Sequence, residues 1–375
     1  MSVYSRDSET HYFDEITILR ALAIMAVISI HVSGAFVFMD SSNFLAVVYM
    51  AINAFSSFAV PLFICISGFV LFNKYPDNID LMVFYRRRLV VLLPPYLFFS
   101  IISLILEQQR GLNYDLPAIL FKFFTGGWIS SYWFIVLIIQ VYLAYPLLQK
   151  IFSWCRIHNK IPDLLVITFL GGVVYNGYIV PSVFNQIAAD PSGISVITRF
   201  SAFLFYFFLG MAAMDRNEEF FPRIITKTGI RYYPIPLLIG TTLGIIAISQ
   251  LFLGNKPDIA RILPLYAWNW IVAFILPLYY LVIFGICSLI STAFVSQKNT
   301  MYTLLDTIGH YSFGIFLVHL FMLSEIITIL NRAGFGWENY LFYPITFTLI
   351  LTSSLFIIAI IQKIPGGRLI TGGTR

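Results

Sequence analysis

Two polar side chains stand inside a stretch that is otherwise apolar enough to cross a bilayer. The stretch runs from Ile16 to Val37, ITILRALAIMAVISIHVSGAFV, and the two side chains are Arg20 and His31. Eleven helical steps place both on one face of a helix, roughly 16 Å apart along its axis. Because a charged or titratable group is costly inside a membrane, it marks a functional site by default. We expect His31 to face an internal cavity and Arg20 to lie near one membrane surface.

The chemistry that these two residues suit is proton transfer beside an anionic ligand. Histidine is the natural general base near neutral pH, and arginine orients anionic groups. Each residue also has a structural interpretation. Arg20 can extend to the membrane surface from the start of the helix, and His31 can hydrogen-bond to a neighbouring helix.

A second candidate site is the run Arg86, Arg87 and Arg88 at the start of another apolar span. Guanidinium groups match phosphate geometry, and a helix N-terminus adds a favourable dipole. The simpler interpretation is a topology anchor. Pro94 and Pro95 follow inside the same span, and we expect them to kink it and to free backbone groups near a cavity.

Further candidates lie in two other spans. His310, His319 and Glu325 share one stretch, where His310 and His319 fall on opposite helical faces. His319 is expected at a membrane depth similar to that of His31, and Glu325 near the outer surface. Tyr132 and Trp133 begin another span, either as an aromatic belt or as the wall of a cleft for sugar rings. For His319 and Glu325, structural and substrate-binding roles are both open.

Composition decides the class of protein that must position these residues. The chain has 375 residues, of which 59% are hydrophobic and 11% are charged, and its mean hydropathy is +0.85. Soluble domains carry about 25% charged residues, so this is an all-α polytopic membrane protein. The net charge of +5 needs no nucleic acid partner, because basic cytoplasmic loops explain it. The three cysteines show no metal-binding or redox spacing, and no metal is expected.

About ten transmembrane helices are predicted in a single domain that fills the bilayer. The expected division is a cytoplasmic tail at 1–15, a ten-helix core at 16–363 and a second tail at 364–375. Sixteen Lys and Arg residues fall in the segments that this arrangement makes cytoplasmic, against six outside, so both termini are expected in the cytoplasm. A small interfacial helix is predicted at 116–124. The predicted spans are 16–39, 44–72, 89–106, 131–150, 162–180, 197–214, 233–253, 264–292, 308–330 and 340–362.

Seven stretches, in order along almost the whole chain, resemble the acyltransferase-3 family of bacterial membrane acyltransferases. They are LRALAIMAVISIH with its Arg-x10-His spacing, VPLFICISGFVLF at 60–72, RRRLVVLLPPY at 86–96, YWFIVLIIQVYLAYPLL at 132–148, FYFFLGMAA at 205–213, SFGIFLVH at 312–319 and KIPGGRLITGG at 363–373.

The resemblance implies a ten-helix enzyme of the bacterial cell membrane that moves an acyl group, by default acetyl, from cytosolic acyl-CoA to a glycan. His31 matches the essential histidine of the family, Arg20 its partner arginine, and Arg88 the first arginine of an Arg-x-x-Arg pattern. The second arginine falls on Val91, a departure for which Arg86 or Arg87 is the substitute. The chain resembles stand-alone O-acetyltransferase members, which lack a further domain after the last span.

Several alternatives stay open at this stage. The acceptor is a capsule, teichoic acid or peptidoglycan sugar, or a lipid-linked intermediate, and partner proteins of envelope biosynthesis are compatible with each. The acyl group is acetyl, succinyl or longer, and it moves directly or through an acyl-histidine. A polysaccharide exporter or flippase-like component is the main alternative function. An inactive assembly subunit is the other.

Overall fold

The computed structural model describes residues 14–34, 44–77, 79–184, 198–215 and 265–372, with 239 and 242 in addition. Every element in these residues is helical. The helices are α1 (Asp14–Gly34), α2 (Phe44–Ser56), α3 (Ala59–Lys74), α4 (Leu81–Gln109), α5 (Leu116–Thr125), α6 (Trp133–Ile157), α7 (Ile161–Val174), a π-helical segment (Tyr175–Phe184), α8 (Phe200–Asp215), α9 (Leu265–Gln297), α10 (Thr300–His310), α11 (Ser312–Arg332), α12 (Phe342–Ile361) and α13 (Gly367–Thr371).

The prediction of an all-α polytopic membrane protein is confirmed. Eight helical stretches of the described residues are long and apolar enough to cross a membrane, and α8 adds a shorter apolar helix. Together they account for nine of the ten predicted spans. The predicted span 233–253 lies outside the described residues, apart from 239 and 242. The predicted interfacial helix is α5, which exposes Leu116, Leu120 and Phe124.

Two predicted spans contain interruptions that hydropathy does not reveal. The span predicted at 44–72 consists of α2 and α3, which are separated by a turn at Ser57 and Phe58. The span predicted at 308–330 begins at the end of α10, and α11 starts after Tyr311. By contrast, α4 continues as one helix through Pro94 and Pro95.

Helix α1 lies at the centre of the bundle. It packs against α2, α3, α9, α10, α11 and α12. Its buried positions include Ala21, Ala23, Ile24 and Ile28, which point in several directions around the helix axis. A helix that is apolar all round is buried all round, and in α1 only Arg20 is exposed, while the other residues are buried or half-buried.

Glycines allow the closest helix contacts. A Cβ atom added at Gly210 of α8 would lie 1.9 Å from the carbonyl oxygen of Cys65 in α3, and one at Gly68 would lie 2.1 Å from that of Phe207. A Cβ atom at Gly309 of α10 would lie 2.0 Å from the carbonyl oxygen of Thr17 in α1. Small residues let backbones approach closely in membranes, where packing replaces the hydrophobic effect as the driving force.

Candidate active site

The candidate active site is a cavity of about 790 Å³ beside the last described turn of α1. We call this end of the bundle the His31 end, and the opposite end, where α1 and α4 begin, the Arg88 end. The cavity volume lies within the range of about 300–1,000 Å³ that is typical of small-ligand sites. The described residues that line it are Val27, Ile30, His31, Asn53, Ser57, Val60, Pro61, Ser131, Trp133, Phe134, Asn176, Ala202, Phe203, Tyr206, Asn269, Val272, Ala273, Leu276, Pro277, Tyr280 and Phe316.

His31 is on the wall of this cavity, and a second histidine lies directly behind it. The ring centroids of His31 and His319 are 5.2 Å apart, and the two ring planes are tilted by 48°. His319 is only 1% exposed. The two residues therefore share a membrane depth, as the sequence predicts.

The hydrogen bonding of His319 fixes which of its nitrogens carries the proton. Its Nδ1 lies 2.7 Å from the carbonyl oxygen of Phe316. Since a carbonyl only accepts, Nδ1 carries the hydrogen and donates it. In the neutral ring Nε2 is then an acceptor, and it is buried without a hydrogen-bond partner. A buried polar atom left in this way costs free energy, and here it belongs to the residue whose ring contacts His31.

Tyr132 fixes the backbone that carries His319. Its side chain is fully buried, and its hydroxyl donates to the carbonyl oxygen of Leu317 over 2.8 Å. The rings of Tyr132 and Phe134 also contact Phe316, whose ring in turn contacts His319. Tyr132 therefore supports the histidines from behind and does not line the cavity.

Trp133, the next residue, does line the cavity. Its ring contacts Phe203, and the guanidinium of Arg199 lies 4.4 Å from its centroid. With Tyr206 and Tyr280, these rings give the cavity a partly aromatic lining. The predicted pair of Tyr132 and Trp133 therefore divides into one supporting residue and one wall residue.

Three asparagines that the sequence prediction missed supply polar groups to the same cavity. They are Asn53, Asn176 and Asn269, from α2, the π-helical segment and α9. Asn53 donates its amide to the carbonyl oxygen of Ile30 (2.8 Å) and to Ser33 Oγ (3.1 Å), and Asn176 donates to Gly172 (2.9 Å). The amide groups of Asn53 and Asn176 are thereby oriented by backbone carbonyls, and their side-chain oxygens remain to accept from a ligand. An amide inside an apolar run was the available signal.

The charge of the cavity lining is low. Among its described lining residues there is no Asp, Glu, Lys or Arg, so His31 is the one titratable group with a basic nitrogen there. Ser131 adds a buried hydroxyl that has no hydrogen-bond partner. The arrangement therefore offers a base, hydrogen-bonding oxygens and aromatic faces, which together suit a hydroxyl-bearing ring.

The three arginines of α4 do not form one cluster. Arg88 is on the inward face of the helix, with its guanidinium carbon 5.2 Å from the ring centroid of Tyr75 and 5.8 Å from that of Tyr142. Its Nε and Nη2 atoms are buried without hydrogen-bond partners. Arg86 and Arg87 instead line a groove of about 550 Å³ on the outer side of α4.

The other predicted residues lie apart from the cavity. Arg20 is exposed on α1 and lies outside the lining of both the cavity and the groove. Glu325 is exposed on α11, away from His31. His310 is on α10, where it is half exposed and hydrogen-bonds to Asp306 of its own helix. No group of three or more potential metal ligands occurs among the described residues.

Comparison with known proteins gives the family. The sequence model of one family, described as an acyltransferase domain, matches residues 13–361. A protein of Bacillus subtilis (strain 168), named "Putative membrane-bound acyltransferase YfiQ", is 24% identical over 331 residues, which are 84% of this chain and 83% of the relative. No solved structure matches this chain. The chain therefore belongs to the acyltransferase-3 family of membrane-bound acyltransferases.

Proposed function

We propose that this protein transfers an acyl group, by default acetyl, from cytosolic acyl-CoA to a hydroxyl of a cell-envelope glycan, with His31 as the general base. The observation that carries this proposal is the position of His31 on the wall of the aromatic and amide-lined cavity, with His319 directly behind it. The bacterial cell membrane is the expected location. The two termini and the Arg88 end would then face the cytoplasm.

The acceptor sugar would enter the cavity at the His31 end. Aromatic rings such as Trp133 provide flat faces for the apolar side of a sugar ring. The oriented oxygens of Asn53 and Asn176 accept hydrogen bonds from its hydroxyls. These contacts hold one hydroxyl near His31, and such positioning is itself a large part of catalysis.

The transfer step then follows from the chemistry of a thioester. A basic nitrogen of His31 takes the proton of the sugar hydroxyl while the hydroxyl oxygen attacks the carbonyl carbon of the thioester. The carbon–sulfur bond breaks, and the departing thiolate takes the proton back from His31. The products are a sugar ester and free CoA. General-base assistance of this kind contributes about 10²–10⁴-fold in rate.

The donor would approach from the Arg88 end. Its phosphates are negative, and Arg86, Arg87 and Arg88 are the cations at the start of α4. The Nε and Nη2 atoms of Arg88 face inward without hydrogen-bond partners, so they could donate to a negative group of the donor. Arg20 is on the same helix as His31 and closer to that end, where it would help to orient the donor.

The test is acyl transfer by purified protein in lipid nanodiscs, with radiolabelled acetyl-CoA and a panel of envelope oligosaccharides. We expect His31→Ala to lower the transfer rate by about 10²-fold or more. His158→Ala is the matched control, because His158 is exposed at the end of α6 and hydrogen-bonds only within that helix. Full activity in the His31 variant would refute the assignment of the base. Sugar movement without ester formation would favour the exporter instead.

A further inference from the structure

A groove at the Arg88 end brings together three arginines from two distant parts of the chain. It lies between α4 and α13 and has a volume of about 550 Å³. Arg86 and Arg87 come from α4, and Arg368 comes from α13. The complete set of described lining residues is Val83, Arg86, Arg87, Val90, Val91, Arg368, Leu369 and Gly372.

The charge in this groove is unbalanced. Among the described residues none of the three arginines forms an ion pair or a side-chain hydrogen bond, and no acidic residue lines the groove. By contrast, Arg156, another cation of the described residues, is paired, since its guanidinium lies 3.2 Å from Asp215 and 3.7 Å from Asp77. Three unpaired guanidinium groups around one concave space attract an anion, and their planar forks fit phosphate oxygens.

The position of Arg368 is built into the fold. Thr371 donates to the carbonyl oxygen of Gly367 (3.0 Å) and accepts from the amide of Gln362 (3.2 Å), so α13 is fastened to the end of α12. Gly372 ends α13 with a φ of +72°, and a Cβ atom there would lie 2.3 Å from Phe313. Only glycine combines this positive φ with the absence of a Cβ atom that would collide with Phe313. Arg368 is thus held beside α4 by a packed segment.

Helix geometry separates this groove from Arg88. Successive residues of a helix point about 100° apart, and Arg88 shares the inward face of α4 with the buried residues Phe84 and Leu92. Arg86 and Arg87 are exposed on the other side. The three adjacent arginines therefore face two different regions, with Arg88 toward the core and Arg86 and Arg87 toward the groove. Arg368 adds the third guanidinium group to the groove, which Val91 also lines.

We propose that Arg86, Arg87 and Arg368 together bind a phosphate-bearing ligand, and that the C-terminal helix α13 is part of this site. Two sources would supply such a phosphate. One is the nucleotide part of the acyl donor, and this source rests on the proposed function. The other is the headgroup of an anionic phospholipid, whose chains would lie along Val83, Val90 and Leu369, which are 40%, 49% and 50% exposed.

The experiment measures binding of CoA to the purified full-length protein in two kinds of nanodisc. One contains phosphatidylcholine alone, and the other contains added phosphatidylglycerol, whose retention is followed by native mass spectrometry. The variants are Arg368→Ala, Arg368→Lys and the double variant Arg86→Ala with Arg87→Ala. Lys363→Ala is the matched control, because Lys363 is an exposed cation that precedes α13 and lies outside the groove.

We expect Arg368→Ala to weaken binding of the phosphate ligand by about 5–20-fold, since hydrogen bonds to charged groups are strong but this groove is exposed to screening ions. Arg368→Lys should restore binding only in part, because it keeps the charge and loses the fork. Weaker CoA binding in both nanodiscs assigns the site to the donor. Loss of phosphatidylglycerol retention with unchanged CoA binding assigns it to the lipid headgroup.

The proposal would be overturned if the Arg368→Ala variant and the Arg86→Ala, Arg87→Ala double variant bound both CoA and phosphatidylglycerol as well as the Lys363→Ala control does. A wild-type protein that binds neither ligand would also overturn it. These results are independent of the transfer assay. A wild-type protein that binds CoA through Arg368 but forms no ester would refute the proposed function and would still support phosphate binding in the groove. Normal ester formation together with unaltered ligand binding in the Arg368 variants would support the proposed function and refute phosphate binding in the groove.

Discussion

His319 gives the sharpest test of the candidate active site, because its replacement should change activity strongly and stability little. The perturbation is His319→Leu, which is close to the imidazole in volume. It removes the 2.7 Å hydrogen bond to Phe316, worth about 0.5–1.5 kcal/mol. It also removes the buried and unpartnered Nε2, whose burial costs about 1–3 kcal/mol.

These two terms nearly cancel, so we expect the free energy of unfolding to stay within about 1 kcal/mol of wild type or to rise. Activity should respond quite differently. The ring of His319 contacts His31 at 5.2 Å, and its loss lets the base shift. A displacement of about 1 Å costs on the order of 10²-fold in rate. His319 would thus act as a positioning residue that the fold keeps without a gain in stability.

The assays are acetyl transfer in nanodiscs and the thermal unfolding midpoint of the same samples. His319→Asn is the informative partner variant, because its amide can keep the bond to the Phe316 carbonyl while it removes the ring that faces His31. Both variants should lose activity by a similar factor. A wild-type rate in His319→Leu would refute the positioning role, and a loss of stability above about 3 kcal/mol would show that the histidine is mainly structural.

Three further predictions test the packing around the site. Tyr132→Phe should lower stability by about 0.5–1.5 kcal/mol, through loss of its bond to Leu317, and should reduce transfer, and an unchanged melting midpoint and rate would contradict the support role. Gly210→Leu should lower the yield of folded protein in size-exclusion chromatography, because the added side chain would collide with the backbone of Cys65. Gly171→Ala is the control and should not lower the yield, because the space around its Cβ is open. Equal yields of the two variants would exclude the close contact of α3 and α8. For topology, Leu112→Cys should react with membrane-impermeant maleimide on intact cells and Lys363→Cys only after lysis, against a low background since all three native cysteines are buried; the reverse pattern would invert the assigned orientation.

Much of the fold is predictable from sequence because a bilayer imposes length and composition on each helix. The nine described spans and α5 follow from apolar runs and their polar ends. The shared depth of His31 and His319 also follows, since each residue of a helix adds a fixed rise. Breaks such as the turn at Ser57 were missed, because both sides of the turn are equally apolar.

The assembly of the site is less predictable, because it depends on which helices become neighbours. Asn53, Asn176 and Asn269 come from three separate segments, and only packing brings them to one cavity. Likewise, the side of α4 that faces the core decides that Arg88 points inward and Arg87 outward. No local pattern near Arg368 indicates that it will lie beside α4.

The central place of α1 has a consequence for how the protein is made. Among the described helices, four of the six that pack against α1 begin at Leu265 or later, at least 231 residues after Gly34, so α1 is synthesised well before them. At about 5–20 residues per second, the ribosome needs on the order of 10–50 s to supply them. During that interval His31 has no His319 to contact. Until then, only α2 and α3 of these six helices are available to pack against α1, so truncated chains that end before α9 should depend on the membrane insertion machinery and be cleared rapidly by proteolysis.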